Sequence, residues 1–465
     1  MKRKIYEQML EWKRSSNGAT ALMLDGARRV GKSYIALEFA RAEYENYLLI
    51  DFTKVSSKVK RYFNEYLENL DLFFMYLFGA YNTPILPKGK SVIIFDEVQR
   101  FPRAREAIKH LVADGRYHYI ETGSLISINR NVRDIVIPSE ERHLKMYPMD
   151  FEEFLWATGN EGAMAVIRHH FATRTPLGRE THESFMDIFR QYMVVGGMPQ
   201  AVQKFVDTHD LAEVDAIKRD ILALYRNDIH KFAGALRHKV LAIYNAIPAE
   251  LNRHERKFVL ADLKKDARMR EYDSSFEWLK SAMTVDIAYA STEPGVGMGM
   301  RTDVVSLKCY SSDSGLLISQ TFDPIAMKAE NIHERLMTDS LSVDKGMIVE
   351  NTVAQMILAA GHELFFYSNS DRNQAENRME IDFLVCKPNL TRRHNIVPIE
   401  VKSNKDYTTV SLDKFRRRFP EQLHTPVVLH PKDVKVADGI VYLPLYMAQL
   451  IVTETIQGCT FSISP

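Results

Sequence analysis

The chain has 465 residues, of which 46% are hydrophobic and 26% are charged, and its formal net charge is +1. This composition indicates a soluble protein of two or three domains and excludes a globally basic nucleic-acid binder, although it permits a local basic patch. The three cysteines have no short spacing, so no zinc site or disulfide framework is predicted and a cytoplasmic location is expected. Residues 1–10 lack the apolar core of a signal peptide, the apolar run at 72–81 is too short to cross a bilayer, and no membrane partner is predicted.

The first third of the chain alternates predicted helices and strands. An amphipathic helix is expected at residues 2–17, with Ile5, Met9 and Trp12 on one face. Four apolar runs that are typical of buried strands follow, at residues 19–26, 47–53, 91–97 and 117–124. Helical patterns separate them, as in a parallel α/β sheet covered by helices on both faces. We predict that this domain spans residues 1–155.

The middle and the end of the chain have different patterns. Residues 156–303 are predicted to be mostly helical, with a Gly-Gly break and a proline at 191–202 that favour a turn between helices. The order short helix, turn, longer helix and strand at 257–291 fits a winged helix, and it fits an ordinary helical domain as well. From residue 304 to 465 the pattern predicts an α/β domain, with a helix at 345–361 and strands before and after a basic helix.

One segment of the first domain matches a phosphate-binding motif. GARRVGKS follows G-x-x-x-x-G-K-[ST], between a predicted strand and a predicted helix. The glycines allow backbone N–H groups to face phosphate oxygens, Lys32 would reach the β- and γ-phosphates, and Ser33 would bind Mg²⁺. We therefore predict ATP and Mg²⁺ as cofactors. The predicted nucleotide-binding residues are Gly26, Ala27, Arg28, Arg29, Val30, Gly31, Lys32, Ser33, Tyr34 and Ser124.

Polar residues that end two later strands complete the predicted catalytic site. Asp96 fits a partner of Mg²⁺, and Glu97 fits the general base that polarises the attacking water. Thr122 or Ser124, in a Thr-Gly-Ser turn, would sense the γ-phosphate, from a strand placed between the phosphate-loop strand and the carboxylate strand. Four arginines are candidates for an arginine finger, although each is better explained as a surface residue and none is preferred: Arg103, Arg105, Arg133 and Arg142.

The chain resembles the AAA-family ATPases that carry a C-terminal domain of unknown function. The resemblance rests on GARRVGKS, FDEVQR, TGS, YMVVGGMPQAV, IDFLV and IEVKS, and it covers residues 1 to about 450. It implies a P-loop ATPase core with an additional strand, a helical or winged-helix middle and a nuclease-like end. The ATPase motifs are shared by many families, whereas the later motifs are specific to this family and say little about activity.

The C-terminal strands contain a second candidate site. Asp382 and Glu400 would lie on neighbouring strands, with Lys402 beside them and Glu350 on the preceding helix. This arrangement resembles the PD-(D/E)-x-K nuclease core, in which Asp382 and Glu400 would bind Mg²⁺ or Mn²⁺ and Lys402 would orient the attacking water. The alternative is that these residues form ion pairs on a solvated sheet face. The chain has Glu380-Ile381 where the proline-aspartate pair of such nucleases would be.

Three functions stay open from the sequence. The first is an ATPase whose nucleotide state controls a DNA-binding and Mg²⁺-dependent nuclease-like end, supported by basic runs at 391–394 and 413–419. The second is an ATP-dependent switch or scaffold whose C-terminal domain only binds a partner. The third is a nucleotide-gated module for a protein partner, and a homo-oligomer is compatible with all three.

Overall fold

The computed structural model of the chain describes residues 1–124, 139–253, 255–295, 297–329, 331–338, 345–371, 374–387 and 395–451. Two compact units are formed. The first combines Met1–Tyr147 with Tyr225–Arg237 and Glu277–Thr284, and the second contains the other described residues. This division differs from the three consecutive domains predicted at 1–155, 156–303 and 304–465, because two short middle segments pack with the N-terminal residues.

The first unit is built on a five-stranded parallel sheet. Its elements in chain order are α1 (Ile5–Ser16), β1 (Ala21–Gly26), α2 (Lys32–Glu43), β2 (Asn46–Asp51), α3 (Ser57–Glu65), α4 (Leu70–Ala80), β3 (Ser91–Asp96), α5 (Pro102–Asp114), β4 (His118–Gly123) and β5 (Glu141–Met146). The strand order is β2-β3-β4-β1-β5, with every pairing parallel. Strand β4 therefore lies between β3 and β1.

Both faces of this sheet are buried. On one face, Met23 and Ile93 pack with apolar side chains of α3, α4 and α5. On the other face, Leu22 and Ile94 pack with α1 and α2, including Trp12. Because consecutive strand residues point to opposite faces, burial on both sides requires uninterrupted apolar runs, and the sequence has them. The described strands and covering helices confirm the predicted P-loop type of α/β fold.

The middle of the chain is helical. Its helices are α6 (Phe151–Ala157), α7 (Ala163–Thr173), α8 (Arg179–Val195), α9 (Pro199–Thr208), α10 (Leu211–Phe232), α11 (Arg237–Leu251), α12 (Leu260–Leu263) and α13 (Met269–Ser281). The end of α10, the first residue of α11 and the end of α13 belong to the first unit, and the remaining residues of these helices belong to the second. Among the described residues, no helix is both long enough and apolar enough to cross a membrane.

The second unit contains a mixed sheet of eight strands. The remaining elements are β6 (Val285–Ser291), β7 (Thr302–Ser311), α14 (Ser314–Thr321), α15 (Pro324–Ala329), α16 (Ile332–Met337), α17 (Lys345–Ala359), β8 (Phe365–Asn369), β9 (Met379–Cys386), β10 (Ile396–Val401), α18 (Val410–Arg418), β11 (Val427–His430), β12 (Lys435–Ala437) and β13 (Ile440–Pro444). Their order is β12-β13-β11-β10-β9-β8-β6-β7. This arrangement confirms an α/β fold for the C-terminal region.

Strand β6 links the helical middle to this sheet. It pairs antiparallel with β7 and parallel with β8. The short helix α12, the longer helix α13 and β6 follow the predicted order. The β6-β7 pair is, however, part of the eight-stranded sheet, where a winged helix would have a small separate hairpin. The predicted boundary at residue 303 falls within this continuous pairing.

Candidate functional site

The phosphate loop connects β1 to α2. Gly26 ends β1 against the backbone of β5, where an added Cβ would lie 2.5 Å from the Met146 carbonyl oxygen. Gly31 has φ 100° and immediately precedes α2. A side chain is therefore excluded by space at the first glycine and disfavoured by backbone conformation at the second. At the start of any α-helix the first N–H groups have no partner within the helix. The loop leads directly into the N-terminal end of α2, where such N–H groups can bind a phosphate.

Lys32 is the central cation of this loop. It is buried, and its ammonium donates to the carbonyl oxygens of Gly26 at 3.0 Å and Ala27 at 2.9 Å. Burial lowers the pKa of Lys32 to about 8, although the nearby carboxylates Glu97, Asp25 and Asp96 act in the opposite direction. A desolvated ammonium facing carbonyl oxygens gains from an added anion, so the site is suited to a phosphate group.

The end of β3 brings a carboxylate to the loop. Ser33, the second residue of α2, donates its hydroxyl to Asp96 Oδ1 at 2.6 Å. Thr122 on β4 donates to the same oxygen, and its own hydroxyl oxygen accepts from the Glu97 backbone N–H at 3.2 Å. One carboxylate thus connects α2, β3 and β4. Hydroxyl and carboxylate oxygens are the ligands that Mg²⁺ prefers, so this group of residues fits the ion that the motif implies.

Glu97 lies directly beside this group in a left-handed backbone conformation with φ 55°. Its carboxylate accepts from the Gln99 amide at 2.6 Å. Among the neighbouring charges, Glu97 has the largest effect on the pKa of Lys32, which it raises. A non-glycine residue held at positive φ is uncommon and often marks a functional position.

The other predicted nucleotide-binding residues differ in exposure, in hydrogen-bond partners and in backbone conformation. The Tyr34 side chain is exposed and its hydroxyl accepts from the N-terminal amine. Val30 is buried, and its carbonyl oxygen accepts from Arg3 at 3.0 Å. Arg29 has φ 68°. Ser124 follows β4 and lines a small cavity together with Arg28. Of the two predicted sensor residues, Thr122 is the one that contacts the Asp96 carboxylate.

Two residues that the motif did not predict contact the loop from α10. Asp228 forms an ion pair with Arg28, with 2.6 Å between Oδ1 and Nη1. The Tyr225 hydroxyl donates to the Arg28 carbonyl oxygen at 3.1 Å. They lie about 200 residues from the motif, and no local pattern in the sequence connects them to it. Only the folding of residues 225–237 into the first unit brings them there.

A polar network joins β1, β5 and α5; its Asp25, Glu141 and Arg105 side chains are buried, whereas its His143 side chain is 42% exposed. His143 on β5 contacts Asp25 at 2.6 Å and Glu141 at 3.2 Å. Glu141 also accepts two hydrogen bonds from Arg105 of α5, at 3.1 and 2.7 Å. Hydrogen bonds to Asp25 and Glu141 raise the pKa of His143 to about 9. Burial, together with Glu141, raises the pKa of Glu121 well above its usual range.

The candidates for the arginine finger differ in burial, in ion-pair partner and in position relative to the loop. Arg105 is buried in the network just described, so its guanidinium is not available to a nucleotide. Arg103 pairs with Glu106 one turn away on α5. Arg142, at the start of β5, pairs with Glu11 of α1 and therefore lies at the opposite end of the sheet from the loop. Arg133 lies outside the described residues.

The candidate site of the second unit is organised around a lysine. Lys308 on β7 is fully buried, and its ammonium lies 3.2 Å from Glu350, 2.8 Å from Glu380 and 3.8 Å from Asp382. Glu350 also pairs with Arg256 and accepts from the Tyr310 hydroxyl at 2.6 Å. Burial would lower the pKa of Lys308, but the three carboxylates raise it above its usual value.

Glu400 has different partners. Lys402 Nζ lies 2.8 Å from Glu400 Oε2. Asp382 accepts instead from the Val401 backbone N–H at 2.8 Å. Burial, followed by the charge of Glu350, raises the pKa of Asp382 to about 7, and burial also raises the pKa of Glu400.

The acidic residues of this candidate site have different cationic partners. Glu350 and Asp382 share Lys308, whereas Glu400 is engaged by Lys402. Within the part of the chain that the structure describes, no group of three or more His, Cys, Asp or Glu side chains is arranged to hold a metal ion. Glu350 on α17 is also fully buried.

Three family models match separate parts of the chain. Residues 19–155 match an AAA domain, residues 186–324 match a domain of unknown function (DUF8612), and residues 345–447 match another domain of unknown function (DUF4143). A comparison with curated proteins found no match. Residues 19–155 thus form an AAA-type, P-loop ATPase-like domain, as the phosphate-loop geometry also indicates, whereas a nuclease-like end gains no support from these matches.

Three solved structures have partial similarity to this chain, each at low sequence identity. A Walker-type ATPase of Pyrococcus abyssi is 14% identical, with a TM-score of 0.40 over 69% of this chain and 96% of its own. Cdc6p of Pyrobaculum aerophilum is 12% identical, with a TM-score of 0.26 over 73% of this chain and 96% of its own. PCH-2 of C. elegans is 14% identical, with a TM-score of 0.18 over 35% of this chain and 44% of its own.

Proposed function

We propose that the chain binds ATP with Mg²⁺ and hydrolyses it in the first unit. The observation that carries this proposal is the convergence of Ser33 and Thr122 on Asp96, with Ser33 directly following the buried Lys32 along α2. Phosphoryl transfer depends mainly on positioning and on charge stabilisation, and these residues supply both. When bound, Mg²⁺ would neutralise negative charge on the phosphates.

The proposed roles follow from the chemistry of each group. Lys32 binds the β- and γ-phosphates, and Ser33 with Asp96 holds the metal. Glu97 accepts a proton from the attacking water, because it is the carboxylate next to Asp96 that has no hydroxyl donor from α2 or β4 among the described contacts. Thr122 senses the γ-phosphate through its hydrogen bond to Asp96.

Two substitutions test this function. Lys32→Ala is expected to abolish ATP binding, and Glu97→Gln is expected to keep binding but to lower kcat by about 10²- to 10⁴-fold, the usual contribution of a general base. Binding is measured with a fluorescent ATP analogue and turnover by phosphate release. Lys58→Ala, at an exposed lysine of α3, is the control and should match the unchanged protein. Absence of ATP binding by the unchanged protein would reject the proposal.

For the second unit we propose a partner-binding role without metal-dependent cleavage. The supporting observation is Lys308, whose ammonium balances the carboxylates that a metal ion would otherwise balance. Nuclease-like folds also serve as binding modules, so the fold is compatible with this role. We expect no cleavage of DNA or RNA with Mg²⁺ or Mn²⁺. Metal-dependent cleavage that disappears in both Asp382→Ala and Lys402→Ala, with ATP hydrolysis kept, would support the nuclease function instead.

The partner to test first is nucleic acid. Helix α18 ends in Arg416, Arg417 and Arg418, and such a cluster can neutralise phosphates. Replacing these three arginines by glutamine should weaken DNA binding and reduce its dependence on salt. A protein complex or a homo-oligomer that forms with ATP and without nucleic acid would instead favour a protein partner.

A further inference from the structure

Arg28 of the phosphate loop is held by a side chain from outside the motif. Its guanidinium lies 2.6 Å from Asp228 of α10. The Tyr225 hydroxyl, one turn earlier on α10, bonds to the carbonyl oxygen of the same arginine at 3.1 Å. The backbone and the side chain of Arg28 are thus restrained separately. Breaking the ion pair would free the side chain while Tyr225 still holds the backbone.

The ion pair lies close to the charges that would surround a triphosphate. The positive charge of Arg28 is one of the influences that lower the pKa of Lys32. The negative charge of Glu97 is one of those that raise the pKa of Asp228. Exposed fractions are 38% for the Arg28 side chain and 24% for Asp228. The guanidinium is therefore neither locked in a core nor fully hydrated, and it can exchange one anionic partner for another.

A carboxylate and a terminal phosphate are competing partners for one guanidinium. Arginine binds both through the same pair of N–H groups, so contact with one reduces contact with the other. The terminal phosphate of ATP is its γ-phosphate, which ADP lacks. A competition at this position therefore acts on the affinity for ATP more strongly than on the affinity for ADP.

We propose that Asp228 is a specificity-determining residue, which withholds the Arg28 guanidinium from the terminal phosphate until ATP displaces it. This inference rests on the proposed ATP-binding function. It assigns Arg28 to the terminal phosphate and makes Asp228 a brake on ATP affinity. The alternative role is a purely structural pair that ties α10 to the loop, and that pair would affect ATP and ADP alike.

The test measures the affinities of a fluorescent ATP analogue and a fluorescent ADP analogue for four proteins: the unchanged chain, Asp228→Asn, Arg28→Gln and the double variant. In Asp228→Asn we expect ATP binding to tighten by about two- to fivefold, the range that corresponds to a partly exposed ion pair, with a smaller change for ADP. In Arg28→Gln we expect ATP binding to weaken and ADP binding to stay nearly constant. In the double variant, removal of the Asp228 charge should have no further effect.

Several outcomes would overturn the inference. Asp228→Asn could weaken or leave unchanged the affinity for ATP, or it could tighten ATP binding equally in the Arg28→Gln background. Glu106→Gln, at the exposed Arg103–Glu106 pair of α5, is the matched control and should leave both affinities unchanged.

The design separates this inference from the proposed function. If the unchanged chain binds no ATP, the function fails and the inference fails with it. If the unchanged chain binds ATP and the ratio of ATP to ADP affinity is the same in Asp228→Asn, only the inference fails. Should Asp228→Asn not fold, Arg28→Gln alone decides, because an equal loss of ATP and ADP affinity in that variant contradicts the assignment of Arg28.

Discussion

At the scale of single residues, burial decides what a charged side chain does. Arg105 and Arg103 are two positions apart on α5, and the sequence does not distinguish them. Arg105 is 2% exposed and makes two hydrogen bonds to Glu141, whereas Arg103 lies on the surface and pairs with Glu106. A buried guanidinium without its carboxylate is very unfavourable, so Arg105 and Glu141 depend on each other.

Arg105→Met is expected to lower the free energy of unfolding by about 3–5 kcal/mol, because it leaves Glu141 buried without its main donor. Arg103→Met is the matched control, with an expected loss of about 0–1 kcal/mol for an exposed pair. Chemical denaturation of both variants measures the difference. Equal losses at the two positions would contradict the structural role of Arg105.

His143 makes the stability of the first unit depend on pH. Its hydrogen bonds to Asp25 and Glu141 raise its pKa to about 9, above the value of about 6.5 expected in the unfolded chain. A group whose pKa is raised on folding contributes stability fully below pH 6.5, and this contribution disappears as the pH rises through about 9. Glu121 and Arg105 are further titratable groups of the same network.

We therefore expect His143→Gln to be less stable than the unchanged chain at pH 6.5 and to approach it by pH 9.5. Denaturation midpoints measured in steps across this range check the prediction. A difference between the two proteins that stays constant with pH would show that His143 does not titrate as described.

At the scale of elements, close backbone contacts explain the Gly-Gly break after α8. Gly197 lies against the segment before α6, where an added Cβ would be 2.1 Å from the Met149 carbonyl oxygen. The Gly197 carbonyl oxygen accepts from the Met149 N–H at 2.7 Å, and its N–H donates to Asp313, which caps α14. Gly315, in the same cap, contacts the Val195 backbone. The Gly-Gly break is therefore a packing junction of three segments.

Gly197→Ala should destabilise the chain by about 3 kcal/mol, because the clash is with backbone atoms that cannot turn away. Gly162→Ala, at a position before α7 with φ −71° and open space around it, should instead be neutral or stabilising by up to about 1 kcal/mol. Thermal or chemical unfolding compares the two. A stable Gly197→Ala protein would show that the junction is looser than described.

At the scale of the whole molecule, the first unit is assembled from three separate chain segments. Residues 225–237 and 277–284 pack with residues 1–147. Tyr225 is 2% exposed and contacts the phosphate loop, so its removal uncovers loop backbone. A domain boundary placed after the AAA-type motifs therefore leaves the unit incomplete.

A fragment of residues 1–155 is expected to unfold at a lower denaturant concentration than the first unit of the full chain, since it lacks the contacts of Tyr225 and Asp228. With Trp156 and Trp278 replaced by phenylalanine in the full chain, the fluorescence of Trp12, a buried residue of α1, follows the unfolding of this unit in both proteins. If the fragment and the full chain have the same midpoint for this transition, the two later segments do not support the unit.

The sequence alone was sufficient to predict the position of most residues of the phosphate-loop site. The spacing in GARRVGKS and the carboxylates after an apolar strand predicted which residues would lie at the carboxyl ends of β1 and β3, because parallel strands bring these ends to one edge. The strand between them, and its threonine, also follow from the pattern. The catalytic roles of Lys32, Asp96 and Glu97 stay predictions until ATP binding and hydrolysis are measured.

The residues that sequence reasoning missed are those whose partners are far apart along the chain. Asp228 and Tyr225 lie in an ordinary helical pattern, and Lys308 lies in a strand that carried no motif. The sequence grouped the acids at 350, 382 and 400 as one candidate site, but it could not reveal that Lys308 contacts two of them and Lys402 the third. A pattern of charges does not show which cation is nearest in space.

The sequence by itself thus determined the fold class and the phosphate loop, because hydrophobic period and a contiguous motif act over a few residues. The tertiary structure alone decided which segments complete each unit, which arginine is buried and what restrains Arg28. These features depend on contacts between residues tens to hundreds of positions apart. Such contacts form only when apolar surfaces of distant elements are buried together, and burial then sets the strength of every charge enclosed with them.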